Sequence, residues 1–295
     1  MTTGTTTTDT PLLHAHLRKR LVGSTICYPA SVDPAFDLER SLAGLHAVGF
    51  EQVELFGIDG YCEHVDLDDV GPAAAERLRR QLERHSLTPV ALNFATKLDT
   101  DEGVAHFGRA AELAERLGAR VVVANVESVS TPETEQAFFE RVPAIVASAK
   151  RHGVVLALET HGGLVSTMAD GADLVDRVGS EHVKVAYDMA NVVKYGRTVP
   201  DRDLRDHLAR IADTIGYVHL KDKADLSDRY DYPPFGDGIL DFPTVLELLE
   251  QGGYRGLLAV EVELDGRPAS PEVVDEALHR SLAYLERIWK AGDES

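Results

Sequence analysis

Gly216-Tyr217-Val218-His219-Leu220-Lys221-Asp222-Lys223 reads as a short apolar strand whose far end turns abruptly polar. A histidine near the end of a buried strand needs a partner there. Three other stretches end the same way. They are Leu156-Ala157-Leu158-Glu159-Thr160-His161, Val185-Ala186-Tyr187-Asp188 and Leu258-Ala259-Val260-Glu261-Val262-Glu263. Four such endings in one half of a chain predict a parallel sheet with a shared polar rim.

Working outward, strand-like and helix-like runs alternate. The strand-like runs are residues 22–28, 52–56, 89–94, 120–125, 154–159, 182–188, 215–220 and 257–262, short and rich in β-branched residues, as in a parallel sheet covered on both faces. Helical spacing lies between them. Leu38, Leu42, Leu45 and Val48 share one stripe closed by Gly49. Further helices are expected over 73–85, 100–117, 131–152 with Pro143 as a kink, 169–178, 201–214, 242–251 and 271–289. Eight strands alternating with eight helices predict an α/β fold, a (β/α)₈ TIM barrel in a single domain over residues 12–295. Residues 1–11 read as a disordered N-terminal tail. An open doubly wound sheet is disfavoured, because Cys27-Tyr28-Pro29-Ala30 is no glycine-rich phosphate loop.

Composition agrees with one globular enzyme-sized domain: 295 residues, 44% hydrophobic and 27% charged. No apolar run is long enough for a membrane span, and the threonine-rich start is no secretory signal. Two cysteines, Cys27 and Cys62, make no disulfide framework, so a cytoplasmic location is the default expectation. The net charge of −19 argues against nucleic acid and anionic lipid as partners.

In a barrel of this kind the active site lies at the C-terminal ends of the strands. The last four strands there end in Glu159, Asp188, His219 and Glu261. Each alone has an ordinary reading: a solvated rim glutamate, a helix-capping aspartate, a satisfied core histidine. Together they do not. Carboxylates about 4 Å apart repel by roughly 4 kcal/mol per pair at an effective dielectric of about 20. Desolvation adds several kcal/mol per ion. A divalent cation offsets much of that cost, so the four are expected to bind one divalent metal. Hard oxygen donors with one imidazole suit Mn²⁺ foremost, with Mg²⁺, Co²⁺ or Zn²⁺ as alternatives.

Side chains two apart on a strand share a face. Glu159 therefore brings His161 toward the mouth, Glu261 brings Glu263, and His219 brings Lys221. His161 is open between a substrate or proton-shuttle role and a loop histidine. Lys221 is open between a substrate contact and a salt bridge to Asp222. Asn191, three residues after Asp188, suits a hydroxyl contact. Glu54, Phe56, Asn93 and Asn125 are weaker candidates on earlier strands. The loop Tyr230-Asp231-Tyr232-Pro233-Pro234-Phe235-Gly236-Asp237-Gly238 has the length and composition of a functional lid, with Gly236 and Gly238 allowing close backbone approach.

Glu-Thr-His-Gly-Gly (159–163), Tyr-Asp-Met-Ala-Asn (187–191), His-Leu-Lys-Asp (219–222), Gly-Asp-Gly-Ile-Leu-Asp-Phe (236–242) and Gly-Tyr-Arg-Gly-Leu-Leu-Ala-Val-Glu (253–261) resemble the sugar phosphate isomerase/epimerase family of xylose-isomerase-like barrels. The resemblance runs from about residue 22 to 289 and is strongest from Glu159 onward. It implies that Glu159, Asp188, His219 and Glu261 are metal ligands. It further implies that Glu159 and Glu261 are the catalytic acid/base pair of a metal-dependent sugar isomerase or epimerase, acting through an enolate. His161, Asn191 and Lys221 would bind substrate. Small carbohydrates or polyols are the implied partners, within carbohydrate metabolism, and homodimers or homotetramers occur among relatives. Two departures stand out. Asn191 occupies a position where ketose 3-epimerases usually have histidine. Lys221 and Lys223 are the only cations found where those enzymes carry an arginine. An inosose-dehydratase-like or keto-glycoside lyase reaction on the same metal site is therefore the alternative. An apurinic endonuclease is disfavoured, because the earlier strands lack its extra histidines.

Overall fold

The computed structural model describes residues 18–30, 33–264 and 270–293, with side chains described to residue 289. The tail expected over residues 1–11 lies outside the described residues.

The strands in chain order are β1 (Leu21–Ser24), β2 (Gln52–Ile58), β3 (Cys62–Glu63), β4 (Thr88–Asn93), β5 (Val121–Ala124), β6 (Val155–Glu159), β7 (Val183–Asp188), β8 (Ile215–Lys221) and β9 (Leu258–Glu261). All but β3 run parallel and close into an eight-stranded barrel. Closure is direct, since β1 pairs with both β2 and β9. The two-residue β3 is not expected from the sequence; it folds back antiparallel on β2.

Helices return the chain along the outside. Their ends follow local chemistry. The Thr131 and Thr167 hydroxyls accept from the backbone N–H three residues on and open Pro132–His152 and Met168–Val178 as capping boxes. Gly118 (φ 82°) and Gly153 (φ 64°) end Asp101–Leu117 and Pro132–His152 in the left-handed region, where a side chain is strained. The 132–152 helix runs through Pro143 without interruption. The single helix expected over 201–214 is instead three short pieces, Pro200–Asp206, Leu208–Arg210 and Ile211–Thr214. His207 leaves the helical region (φ −123°, ψ 23°) and breaks the run. A helix over Met189–Lys194 is foreseen only by the capping reading of Asp188. The Asp188 carboxylate starts it by accepting from Ala190 N and Asn191 N, both at 2.8 Å. Among the described residues no helix is long and apolar enough to cross a membrane.

The barrel interior explains the polar rim. Alternate strand positions point inward. Val22, Ala91, Val123, Ala157, Ala186, Tyr217 and Ala259 pack together there. Four of these are alanines, which leave room for the Tyr217 ring. The next inward position toward the C-terminal end is polar after all seven. Val22 precedes Ser24, Ala91 precedes Asn93, Val123 precedes Asn125, Ala157 precedes Glu159, Ala186 precedes Asp188, Tyr217 precedes His219, and Ala259 precedes Glu261. Register aligns them, with Asp188 opposite His219 and Ser24 opposite Glu54.

The long loop after β8 is held by one carboxylate. Asp222 accepts from Lys223 N (2.8 Å), Gly236 N (2.9 Å), Gly238 N (3.0 Å) and Leu240 N (3.3 Å). A Cβ on Gly238 would collide with Asp222 Oδ1, so the close approach expected for this glycine is present. Asp222→Ala leaves the buried Lys223 and Leu240 N–H groups unpaired and frees the two glycine N–H groups, and is expected to destabilise the fold by about 2–4 kcal/mol. Thermal unfolding against wild type measures it, and an unchanged melting temperature would remove Asp222 as the anchor.

Candidate metal centre and active site

His219 is fully buried at the centre of the mouth. Its Nε2 lies 3.1 Å from Glu54 Oε1 and 3.5 Å from Glu261 Oε1, and its Nδ1 lies 3.2 Å from Glu159 Oε1. Burial alone would lower its pKa. The Glu261 and Glu54 charges and the hydrogen bonds to Glu159 and Glu54 outweigh burial and hold it well above the ordinary histidine value.

Glu54 is the residue whose weight the sequence understated. It is fully buried, accepts from Ser24 Oγ at 2.6 Å and Asn93 Nδ2 at 3.3 Å, and faces His219. The Tyr217 hydroxyl reaches it from below at 3.4 Å. The inward parity of Gln52-Val53-Glu54 carried that signal, but only the closed barrel sets β2 across from β8.

On the other side, Glu159 is steadied by Asn191 Nδ2 at 3.1 Å. Burial would raise the Glu159 pKa, but the hydrogen bond and charge of His219 bring it down to about 2. Asp188 uses Oδ1 to cap its helix and leaves Oδ2 free of hydrogen bonds. Burial, chiefly, pushes its pKa up to about 7, against the opposing charge of Lys221. Thus the capping role and an available ligand oxygen coexist in one side chain.

Lys221 does not pair with Asp222. Its inward-pointing ammonium contacts Glu263, lies 3.1 Å from Glu261 Oε2 and 3.6 Å from Asp188 Oδ2, and sits 4.4 Å from the centre of the Tyr232 ring. Strand alternation is the reason, since Asp222 lies one residue further on and faces the loop. Burial would lower the Lys221 pKa, but Glu263, Glu261 and Asp188 hold it well above the usual lysine value.

His161 stands at the edge of the mouth. Its Nδ1 is 3.5 Å from Glu127 Oε2, its Nε2 is 3.4 Å from the Tyr195 hydroxyl, and the two rings are 4.7 Å apart. Tyr61 donates to Glu263 Oε2 at 3.0 Å, and the Tyr230 hydroxyl donates to the same carboxylate. Tyr230 and Tyr232 of the long loop thereby form a wall. His161, Asn191, Lys221, Glu159 and Glu261 all line one cavity of about 340 Å³ with these tyrosines. Glu127, Tyr61 and Tyr195 escape a reading of the sequence because they lie beyond the strand ends, where no periodicity marks them.

The donors form two groups, Glu54–His219–Glu261 and Glu159–Asp188–His219, each with ligand atoms within 4.8 Å of one another. The four residues expected to share one cation are divided between these groups, with His219 common to both. Their chemistry fits a divalent cation: Asp188 Oδ2 and Glu261 Oε1 are buried oxygens that make no hydrogen bond.

A family model described as xylose isomerase-like TIM barrel matches residues 42–285, and the chain belongs to that family. An inosose dehydratase of Halalkalibacterium halodurans is 26% identical over 258 residues, 72% of this chain and 83% of its own. Among solved structures, an L-ribulose 3-epimerase shares the fold with a TM-score of 0.70 at 21% identity, covering 92% of this chain and 95% of its own. The IolI protein with a bound zinc atom has a TM-score of 0.68 at 19% identity, covering 92% and 98%.

Cation binding at this centre requires a neutral His219 and an ionised Asp188, so it is expected to release about one proton above pH 7 and approach two below it, with affinity rising about tenfold per pH unit for each proton displaced. Calorimetric titration with Mn²⁺ in buffers of different ionisation enthalpy measures the release; heats independent of buffer would contradict it. Glu54→Gln is expected to weaken the metal about 10–100-fold with the fold retained, and an unchanged dissociation constant would leave Glu54 as a packing residue.

Proposed function

We propose that this chain is a divalent-metal-dependent isomerase or epimerase that exchanges a proton α to the carbonyl of a sugar or keto-polyol. The observation that carries this reading is the pair of buried carboxylate oxygens without a hydrogen-bond donor, Asp188 Oδ2 and Glu261 Oε1, beside a substrate-sized cavity. Glu159, Asp188, His219 and Glu261 would hold the cation, with Glu54 orienting the imidazole. When bound, the cation supplies Lewis-acid polarisation of the carbonyl and its neighbouring hydroxyl.

The remaining chemistry belongs to the side chains. Glu159 ends β6 and Glu261 ends β9, with His219 on β8 between them. One carboxylate removes the α-proton and the other returns a proton to the opposite face. Asn191 fixes Glu159 through Oε1. The Lys221 ammonium, beside Glu261, donates to the substrate oxygen as negative charge develops on it. His161, held between Glu127 and Tyr195, binds a ring hydroxyl.

A second reading shares the first step and ends in elimination. The α-proton leaves to a glutamate, the electron pair forms a carbon–carbon double bond, and a protonated β-oxygen departs as water or an alcohol. The inosose dehydratase name of a relative aligned over most of its length favours it.

Incubating the Mn²⁺-loaded protein in D₂O with ketoses, inososes and 3-keto-glycosides separates the outcomes. Deuterium at the α-carbon of an otherwise intact substrate supports the first reading, and loss of water or alcohol supports the second. Neither event with any substrate would sink both. Glu159→Gln and Glu261→Gln should each lower turnover by about 10²–10⁴-fold while the protein stays folded by circular dichroism.

A further inference from the structure

The cavity against Glu159 and Glu261 does not end at the barrel mouth. It shares Ala95, Asn125 and Glu127 with an open groove of about 1000 Å³. The groove runs beyond the ends of β2, β4 and β5, whereas the carboxylates and lysine around His219 come mainly from β6 to β9. Among the described residues, two other sides of the mouth are walled. The Tyr61 and Tyr230 hydroxyls meet at 3.0 Å, and His161 packs on Tyr195. A ring seated on the two glutamates therefore has its open side toward the groove. The inner cavity, at about 340 Å³, lies at the small end of ligand sites, which run about 300–1,000 Å³.

Groove chemistry narrows the occupant. The Thr96 and Ser128 hydroxyls donate to Gly103 O at 3.1 Å and Asp99 Oδ1 at 2.5 Å and keep lone pairs to accept, while the His106 imidazole and the Asn125 amide supply donors. Burial and the Arg109 charge lower the His106 pKa, which keeps the ring neutral near pH 7. Five carboxylates line the groove: Asp59, Asp66, Asp68, Glu102 and Glu127. The two cations there are Lys97 and Arg109, and Arg109 is already bound to Leu67 O at 3.0 Å and Asp68 at 3.4 Å. This acidic field, on a chain of net charge −19, disfavours a phosphate. An uncharged polyol fits its hydrogen-bonding groups.

We infer that the natural substrate is a glycosylated ketose, whose second, uncharged polyhydroxylated unit occupies the groove lined by Thr96, His106 and Ser128. This rests on the proposed function only for where the reacting ring sits. The groove selects glycosides over free ketoses and sugar phosphates.

The test compares binding of fructose, fructose 6-phosphate and the glucosyl-fructoses turanose, maltulose, leucrose and isomaltulose to the full chain by saturation-transfer NMR competition. At least one glucosyl-fructose should bind about tenfold or more tighter than fructose, and fructose 6-phosphate no tighter than fructose. His106→Ala, which removes a groove contact, and Ser128→Trp, which fills the groove outside the inner cavity, should each erase that advantage and leave fructose binding unchanged. The inference is overturned if no glucosyl-fructose exceeds fructose, if the phosphate binds best, if nothing binds, or if the advantage survives both variants. Deuterium exchange in D₂O keeps the two readings apart. Exchange without glycoside preference removes the groove and keeps the reaction; glycoside preference without exchange or elimination does the reverse.

Discussion

The structure depends on the balance of charge around His219. Glu54, Glu159 and Glu261 all approach one imidazole, and Asp188, Glu261 and Glu263 approach one ammonium, inside a mouth with little access to water. Carboxylates so placed repel strongly in a low-dielectric environment. Two protonated bases compensate part of that charge. Three carboxylate oxygens of the cluster, Asp188 Oδ2, Glu261 Oε1 and Glu263 Oε1, still make no hydrogen bond. A group of acids that remains under-satisfied after folding is poised to take a cation, and the proposed chemistry derives from this property.

The rest of the barrel serves that balance. Alanines below the mouth admit Tyr217, whose hydroxyl supports Glu54, and Glu54 in turn supports His219. Asp222, immediately after Lys221, turns outward and gathers the backbone of the long loop. Adjacent residues on one strand thus divide two tasks. Lys221 faces the carboxylates, and Asp222 places the loop whose tyrosines wall them in. Strand alternation makes this division automatic.

The site is asymmetric around the barrel. Charged donors concentrate on β6 to β9, while β4 and β5 end in asparagines and open into the groove. Chemistry on one side and room on the other suit a substrate whose reacting ring is only part of the molecule.

Much of this was legible in the chain. Short apolar runs ending in Glu159, Asp188, His219 and Glu261 identified a barrel and the polar rim of its mouth, because strand parity and the parallel order of βα units are local, periodic properties. The helix break at His207 and the added strand β3 were not legible, and the helix begun by Asp188 was legible only as a cap, since each rests on a few capping or pairing contacts rather than on a repeat. The site divides in the same way. Sequence identified which side chains point inward. Only closure of the sheet decided that Glu54 of β2 meets His219 of β8, that Lys221 pairs with Glu263 instead of its neighbour Asp222, and that Glu127 stands beside His161. Those contacts join residues far apart along the chain or turned to opposite faces, and their distances are set by barrel curvature and loop packing, which no local pattern encodes.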